Sequence, residues 1–161
     1  KAFGGIDILA NIHAAMGPDG IQLDGQYDIL EVPMECFELM MKTNVWGYLY
    51  TMRAAVPEML KRGKGSIINT SSGCWSYGSP VRGSYAATKG AINAMSMHVA
   101  TAYGKLGIRC NVVVPGNVKN DFMLRHTLTP YIAEGKDLTG IYVLLASEKG
   151  RFFTGSIIDC D

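Results

Sequence analysis

Features that mark membrane, metal-binding and disulfide-rich proteins are scarce in this sequence. No apolar run approaches the roughly 18 residues that a membrane-spanning helix requires. The four cysteines are scattered without a Cys-x-x-Cys pair, and the three histidines lack the spacing of metal ligands. We therefore expect no membrane segment and no metal site, and the scattered thiols favour a reduced, cytoplasmic protein.

The charge pattern also argues against one class of partner. The formal net charge is +1, and acidic and basic residues are interspersed along the 161-residue chain. A nucleic-acid-binding protein usually carries a basic patch, so we expect no nucleic-acid partner. With 48% hydrophobic residues the chain can form its own core, and we interpret residues 1–161 as a single domain.

Hydrophobic periodicity predicts alternating strands and helices. Buried parallel strands are predicted at residues 6–11, 66–70, 108–114 and 155–160. Helical spacing predicts helices at residues 34–60, 84–103 and 137–146. This alternation is typical of an α/β fold with a parallel sheet.

Residues 71–89 combine groups that are suited to proton transfer. A helix is predicted to start near Ser84, a favoured residue type for the N-cap. Tyr85 and Lys89 are four residues apart and would share one helical face, where the ammonium would lower the tyrosine pKa from about 10. Ser72, at the end of the preceding strand, could bind the same oxygen of a carbonyl/alcohol pair. The Tyr-x-x-x-Lys spacing alone equally fits a surface helix whose lysine stem covers apolar surface.

Further motifs resemble those of the short-chain dehydrogenase/reductase superfamily. That family places its catalytic serine thirteen residues before the tyrosine of Tyr-x-x-x-Lys, which is the spacing of Ser72 to Tyr85. Asn44 matches a helical asparagine of the family, and Pro115-Gly116 matches its Pro-Gly after the following strand. The closing pattern is also similar, at Ala146-Ser147, Thr154-Gly155 and Asp159. The resemblance covers nearly the whole chain and implies a Rossmann-like, doubly wound parallel sheet in three α/β/α layers.

The resemblance implies an NAD(P)-dependent oxidoreductase that interconverts a secondary alcohol and a ketone by hydride transfer. Tyr85 would act as the general acid/base, and Lys89 would lower its pKa and bind the nicotinamide ribose. Ser72 would hold the oxygen of a small-molecule alcohol or ketone, and Asn44 would hold a water in a proton relay. A lyase or epimerase that uses the same tyrosine and lysine is a further alternative.

The resemblance also implies which residues contact the cofactor, NAD or NADP. They are Asn11, Tyr85, Lys89, Pro115, Gly116, Val118 and Asn120. The sequence departs from the family pattern at two places. Only Asn11 of the family's Asn-Asn-Ala-Gly segment is matched, with Ala14 in place of the glycine, and Asn120 replaces a threonine. An asparagine can still donate and accept hydrogen bonds, so the Asn120 contact stands as a prediction. His13, beside Ala14, would contact a ligand or remain a solvated loop residue.

The same resemblance implies how the subunits assemble and which elements of the family fold this sequence lacks. In the family the two long helices form a four-helix contact between subunits, which implies a homodimer or homotetramer. The family's first three strands and its glycine-rich phosphate turn have no counterpart in this sequence. We therefore expect a sheet without those strands, an exposed edge at residues 6–11, and a chain that belongs to a longer protein. A catalytically incomplete fragment or a non-enzymatic dimerising scaffold of the same fold is the alternative.

Overall fold

Four parallel strands form one sheet in the part of the chain that the computed structural model describes, residues 4–116 and 129–160. The strands are β1 (Ile8–Asn11), β2 (Gly65–Thr70), β3 (Ile108–Pro115) and β4 (Ile157–Cys160), and they pair in that order. All three pairings are parallel. The predicted strands are therefore confirmed, with β1 and β4 each starting two residues later than predicted.

Helices connect the strands. They are α1 (Ile21–Asp24), α2 (Met34–Met40), α3 (Gly47–Arg62), α4 (Gly83–Tyr103) and α5 (Thr139–Ala146). Between α2 and α3, residues Met41–Trp46 form a π-helical segment, so the predicted long helix is continuous but changes its hydrogen-bond spacing around Asn44. Helix α3 ends before Gly63, which adopts a left-handed conformation (φ 66°), as its residue type predicts. Segments with π-helical spacing occur frequently at functional sites.

Apolar side chains cover both faces of the sheet. Successive residues of a strand point to opposite faces, so Ile67 packs with α3 and α4 while Ile68 packs with α5. The larger cluster includes Tyr48, Met52, Met59, Ile67, Ile92, Ile108 and Cys110. Each large apolar side chain buried in this way contributes roughly 1.5–3 kcal/mol. The three-layer α/β/α arrangement is thus confirmed.

Strand β1 forms an edge of the described sheet. Among the described residues it pairs only with β2, and its Ile8 side chain is 50% exposed. By contrast, nearly all residues of β2 and β3 are buried. An exposed apolar edge is a template for a further strand, in agreement with the expectation from the sequence.

The start of α4 differs from the prediction. The helix begins at Gly83, after Arg82 in a left-handed conformation (φ 67°), and the buried Ser84 hydroxyl has no hydrogen-bond partner among the described residues. The N–H groups of Ser84 and Tyr85 donate to the Asp24 carboxylate, at 3.3 and 2.8 Å. The prediction of Ser84 as the N-cap is therefore wrong, because an acidic residue of α1 satisfies this helix end.

Gly107 lies close to Gly63 at the turn into β3. Its φ is 88°, and a Cβ at this position would collide with the carbonyl oxygen of Gly63. We expect Gly107→Ala to lower the free energy of unfolding by at least about 1–2 kcal/mol, the cost of a left-handed alanine, with the collision adding to it. Urea denaturation would measure the change.

Gly104→Ala is the matched control for this prediction. Gly104 has a right-handed helical backbone, and no atom of the described residues lies within 4 Å of its Cβ position outside its own helix turn. We expect this variant to be neutral or stabilised by about 0.4–1 kcal/mol. Equal unfolding midpoints for the two variants would contradict the close approach assigned to Gly107.

Candidate active site

The carboxyl ends of the strands bring the predicted site residues to one edge of the sheet. Asn11 ends β1, Thr70 ends β2 two residues before Ser72, and Pro115 ends β3. In a parallel sheet these ends lie on the same side, which is where ligands bind in open α/β folds. The carboxyl ends of β1, β2 and β3 therefore lie at one edge of the sheet, as the strand pattern predicts.

Lys89 is almost fully buried at this edge. Its side chain is 2% exposed, and its Nζ donates to the carbonyl oxygen of Thr70 at 2.9 Å. The same nitrogen lies 5.4 Å from the ring centroid of Tyr85, within the range of a cation–π contact. Burial lowers the pKa of Lys89 to about 8, while the Cys74 thiol acts in the opposite direction. Lys89 and Tyr85 thus share one face of α4, as their spacing predicts.

Ser72 follows the end of β2 and lies near the Tyr85 phenol. Ser72 leaves β2 with an extended backbone (φ −162°, ψ 147°) and precedes a short 3₁₀ turn, Gly73–Trp75. Hydrogen bonding between the Ser72 side chain and the phenol lowers the pKa of Tyr85. The Ser72 side chain therefore lies near enough to the Tyr85 phenol to influence its pKa.

The pKa of Tyr85 nevertheless shifts in the direction opposite to the expected one. Burial is the largest influence and raises it to about 12, and the Cys74 thiol adds to the rise. Ser72 and Arg82 act to lower it but do not prevail. The expectation that Lys89 would bring this pKa below about 10 is wrong, because lost hydration of the phenolate outweighs the attraction of a nearby cation.

Asn44 lies in the π-helical segment and is fully buried. Its Oδ1 accepts the N–H of Ala15 at 2.8 Å, and its Nδ2 donates to the Thr88 hydroxyl at 3.1 Å. The amide therefore joins the segment after β1 to the residue that precedes Lys89 on α4. These contacts hold the site together, while the relay water assigned to Asn44 stays a prediction.

Side chains also hold the segment that follows β1. The Nδ2 of Asn11 donates to Asn69 Oδ1 at 2.8 Å, and its Oδ1 accepts the Thr51 hydroxyl at 2.9 Å. The Nε2 of His13 lies 3.2 Å from the carbonyl oxygen of Thr43. Both polar ends of the Asn11 amide and one nitrogen of His13 are thus engaged within the protein, and the predicted cofactor contact of Asn11 stays untested.

Tyr48 is a central residue that the sequence analysis missed. Its buried hydroxyl lies 3.0–3.1 Å from the carbonyl oxygens of Asn11, His13 and Thr70. Burial raises the pKa of Tyr48, so its hydroxyl stays protonated and donates. The Thr70 oxygen is the one that also accepts the buried ammonium. A spacing of four residues from Asn44 on one helix is the sequence signal that could have indicated it.

Pro115 and Gly116 extend β3 beside β4. Pro115 pairs in register with Cys160, and the N–H of Gly116 donates to the Cys160 carbonyl at 2.8 Å. The predicted contacts Val118 and Asn120 lie outside the described residues. All of the cofactor contacts therefore remain predictions, and two of them concern residues without a described position.

The described residues also bear on the expectations for a metal site, a membrane span and a disulfide. Within residues 4–116 and 129–160, no cluster of His, Cys, Asp and Glu side chains could hold a metal ion. None of the helices in these ranges has the length and apolar character to cross a membrane. All four cysteines are free thiols. The polar chemistry of the sheet edge therefore comes from hydroxyl, amide and ammonium groups.

Residues 1–129 match the family model described as short chain dehydrogenase. The chain therefore belongs to the short chain dehydrogenase family. A probable short-chain type dehydrogenase/reductase of Bradyrhizobium diazoefficiens is 34% identical, over 100% of this chain and 60% of its own length. A 2,5-dichloro-2,5-cyclohexadiene-1,4-diol dehydrogenase of Sphingobium indicum is 34% identical, over 99% of this chain and 67% of its own length.

Solved structures share the fold. A gluconate 5-dehydrogenase from Burkholderia cenocepacia, in complex with NADP and tartrate, superimposes with a TM-score of 0.88 at 24% identity. The match covers 98% of this chain and 64% of that chain. The Rossmann-like α/β fold expected from the sequence is confirmed. The chain spans 60–67% of the length of the two curated relatives named above.

The lowered pKa of Lys89 predicts a pH-dependent stability. Between a folded-state pKa of about 8 and the ordinary value of 10.5, the unfolded chain holds a proton that the folded protein has released. The contribution of Lys89 to the free energy of unfolding therefore rises with pH through this window, by about 1.4 kcal/mol for each pKa unit. Urea denaturation of wild type and Lys89→Met should show a difference that grows in favour of the wild type from pH 8 to 10.5.

Lys105→Met is the control for this pH series. Lys105 is exposed to solvent, so the difference in unfolding free energy from wild type should stay constant with pH. A constant difference for Lys89→Met would show that the ammonium is not buried as described.

Proposed function

We propose that the protein is an NAD- or NADP-dependent oxidoreductase that interconverts a secondary alcohol and a ketone by hydride transfer. One observation carries the proposal: Lys89 Nζ, held by the Thr70 carbonyl at 2.9 Å, lies 5.4 Å from the ring centroid of Tyr85. The Ser72 side chain lies near enough to the same phenol to lower its pKa. These groups lie at the carboxyl edge of the sheet, where α/β proteins bind ligands. Membership of the short chain dehydrogenase family supports the same reaction class.

Tyr85 is the proposed general acid/base. Because its pKa is raised to about 12, the phenol stays protonated at neutral pH and is suited to donate its proton to a ketone oxygen. In the direction of alcohol oxidation, the phenol first has to release its proton to solvent, and the phenolate oxygen then takes up the hydroxyl proton of the alcohol. Ser72 hydrogen-bonds the substrate oxygen and keeps it beside the phenol.

The bound nicotinamide cofactor would supply or accept the hydride. Lys89 fits a role in holding the ribose, since an ammonium has three N–H donors and the described residues engage one, at Thr70. Pro115 and Gly116 lie at the same edge and would border the nicotinamide. The NADP in the complex of the Burkholderia enzyme supports this cofactor class.

Tyr85 must exchange a proton with solvent after each turnover. Asn44 contacts Thr88, the residue before Lys89 on α4, at 3.1 Å. A water held at Asn44 would connect the ammonium with solvent and so return the proton to the phenol. Asn44 is therefore the proposed anchor of the proton relay.

A small-molecule alcohol or ketone is the proposed substrate. Trp75 and Tyr77 follow Ser72 and are partly exposed, and the Tyr77 ring lies over Gly73, where a Cβ would come within 2.8 Å of it. Aromatic side chains in this loop would form an apolar wall for the substrate. The Sphingobium relative is named for a cyclic diol, which supports a cyclic secondary alcohol as one class to assay.

Tyr85→Phe tests the proposed function. The variant removes the phenolic oxygen and keeps the ring. For a ketone or alcohol that the wild type converts, we expect turnover to fall by at least about 10²-fold. Cofactor binding, measured by fluorescence of NADH and NADPH, should be kept, because Lys89 is unchanged. Tyr50→Phe, on an exposed tyrosine of α3, should match wild type. Turnover that survives in Tyr85→Phe would refute the assigned role.

We further propose that the protein forms a homodimer or homotetramer through α3 and α4. A groove of about 500 Å³ lies between these helices. Its lining is mostly apolar and consists of Leu49, Met52, Arg53, Val56, Pro57, Ala94, Met95, His98, Val99 and Tyr103. Apolar surface of this kind is buried favourably by a second subunit.

Leu49→Glu tests this subunit contact. A carboxylate in a desolvated interface is costly, so we expect the assembly to dissociate at micromolar concentration, as seen by light scattering. Leu106→Glu alters an exposed leucine outside the groove and should leave the molecular mass unchanged. An unchanged mass for Leu49→Glu would exclude a contact through this groove.

A further inference from the structure

The backbone of Tyr85 is held on both sides. Its N–H donates to Asp24 Oδ2 at 2.8 Å, and its carbonyl oxygen accepts the Thr88 hydroxyl at 2.7 Å. The Thr88 hydroxyl is in turn bound by Asn44 Nδ2 at 3.1 Å. The position of the phenol therefore depends on two side chains from outside α4, those of Asp24 and Asn44.

Asp24 accepts hydrogen bonds from several backbone N–H groups at the start of α4. The first N–H groups of a helix have no acceptor within it. Asp24 Oδ1 accepts the N–H of Ser84 at 3.3 Å, in addition to the bond from Tyr85. The backbone carbonyl of Asp24 accepts the N–H of Arg82 at 3.1 Å, where the chain is left-handed. Hydrogen bonds from the N–H groups of Arg82, Ser84 and Tyr85 to Asp24 thus fix the direction in which α4 begins.

The Asp24 side chain is completely buried. A buried carboxylate is costly unless hydrogen bonds and opposite charge compensate it. None of the ion pairs formed among the described residues includes Asp24. The positive end of the α4 dipole, whose N–H groups bind the carboxylate, compensates part of its charge. A carboxylate bound in this way leaves the peptide of Tyr85 little freedom to move.

Asp24 is also connected to the segment that follows β1. The N–H of Ile21, the first residue of α1, donates to the Ala15 carbonyl at 2.9 Å. The N–H of Ala15 donates to Asn44 at 2.8 Å. Hydrogen bonds thus run from Asn44 through the loop to α1, and from Asp24 to α4. The start of α4 is therefore tied to the same residues that border the candidate site.

We propose that Asp24 is a positioning residue for proton transfer. By holding the N–H of Tyr85, its carboxylate sets the position of the phenol relative to Ser72, which comes from a different element. Lys89 is held independently, one turn later, by the Thr70 carbonyl. Loss of Asp24 therefore disturbs the phenol more than the ammonium. The inference rests on the proposed role of Tyr85 as general acid/base.

Asp24→Ala and Asp24→Asn in the whole protein test this role. At a temperature where circular dichroism shows all variants folded, we expect Asp24→Ala to lower kcat by about 10–100-fold, since a misplacement of about 1 Å can have such an effect. The KM for the cofactor should change by less than about twofold, because Lys89 keeps its contact. Asp24→Asn keeps one acceptor oxygen and should recover part of kcat. Asp19→Asn, on an exposed carboxylate nearby, should match wild type.

Hydrogen exchange provides a second readout that does not depend on turnover. In Asp24→Ala, the amides of Ser84 and Tyr85 should exchange at least about tenfold faster than in wild type, because they have lost their acceptor. Amides around Lys89 should keep their rates. A melting temperature that falls while kcat and these exchange rates stay at wild-type values would overturn the inference.

Tyr85→Phe and the two Asp24 variants together distinguish a wrong role for Asp24 from a wrong role for Tyr85. Turnover retained in Tyr85→Phe would overturn both. Loss of turnover in Tyr85→Phe, with kcat of both Asp24 variants within about twofold of wild type, would overturn the positioning role alone. If Asp24→Ala does not fold, Asp24→Asn decides: reduced kcat with faster exchange at Tyr85 supports the role, and wild-type values of both overturn it.

Discussion

A buried ammonium joined to a strand end is the constraint on which the rest of the site depends. Lys89 donates to the carbonyl oxygen of Thr70, the last residue of β2, at 2.9 Å, and the Tyr48 hydroxyl lies 3.1 Å from the same oxygen. One oxygen atom therefore joins the sheet to α3 and α4. Since a buried cation is tolerated only where it is hydrogen-bonded, the packing of both helices has to place this acceptor within reach.

Burial then determines the protonation of the two central groups. It lowers the pKa of Lys89 to about 8 and raises the pKa of Tyr85 to about 12. Both shifts favour the neutral form, because the loss of hydration on burial is the largest influence on each group. At neutral pH the ammonium is still charged and the phenol is protonated.

Side chains from remote segments hold this arrangement in place. Asn11, Asp24 and Asn44 each use both polar ends of their side chains within the protein, with partners 29 to 61 residues away in the chain. Fully hydrogen-bonded buried groups of this kind make a structure rigid and specific. The candidate site is thus part of the folded core, although several of its residues follow directly after strand ends.

The sequence by itself determined the four strands, the long helices and the common face of Tyr85 and Lys89, because periods of two and about 3.6 residues are local properties. It also placed Ser72 at the same edge, since the residue follows a strand. Only the tertiary structure decided that Asp24 rather than Ser84 binds the start of α4, and that the pKa of Tyr85 rises. Both outcomes depend on distant segments packing together, which supplies remote hydrogen-bond partners and removes water.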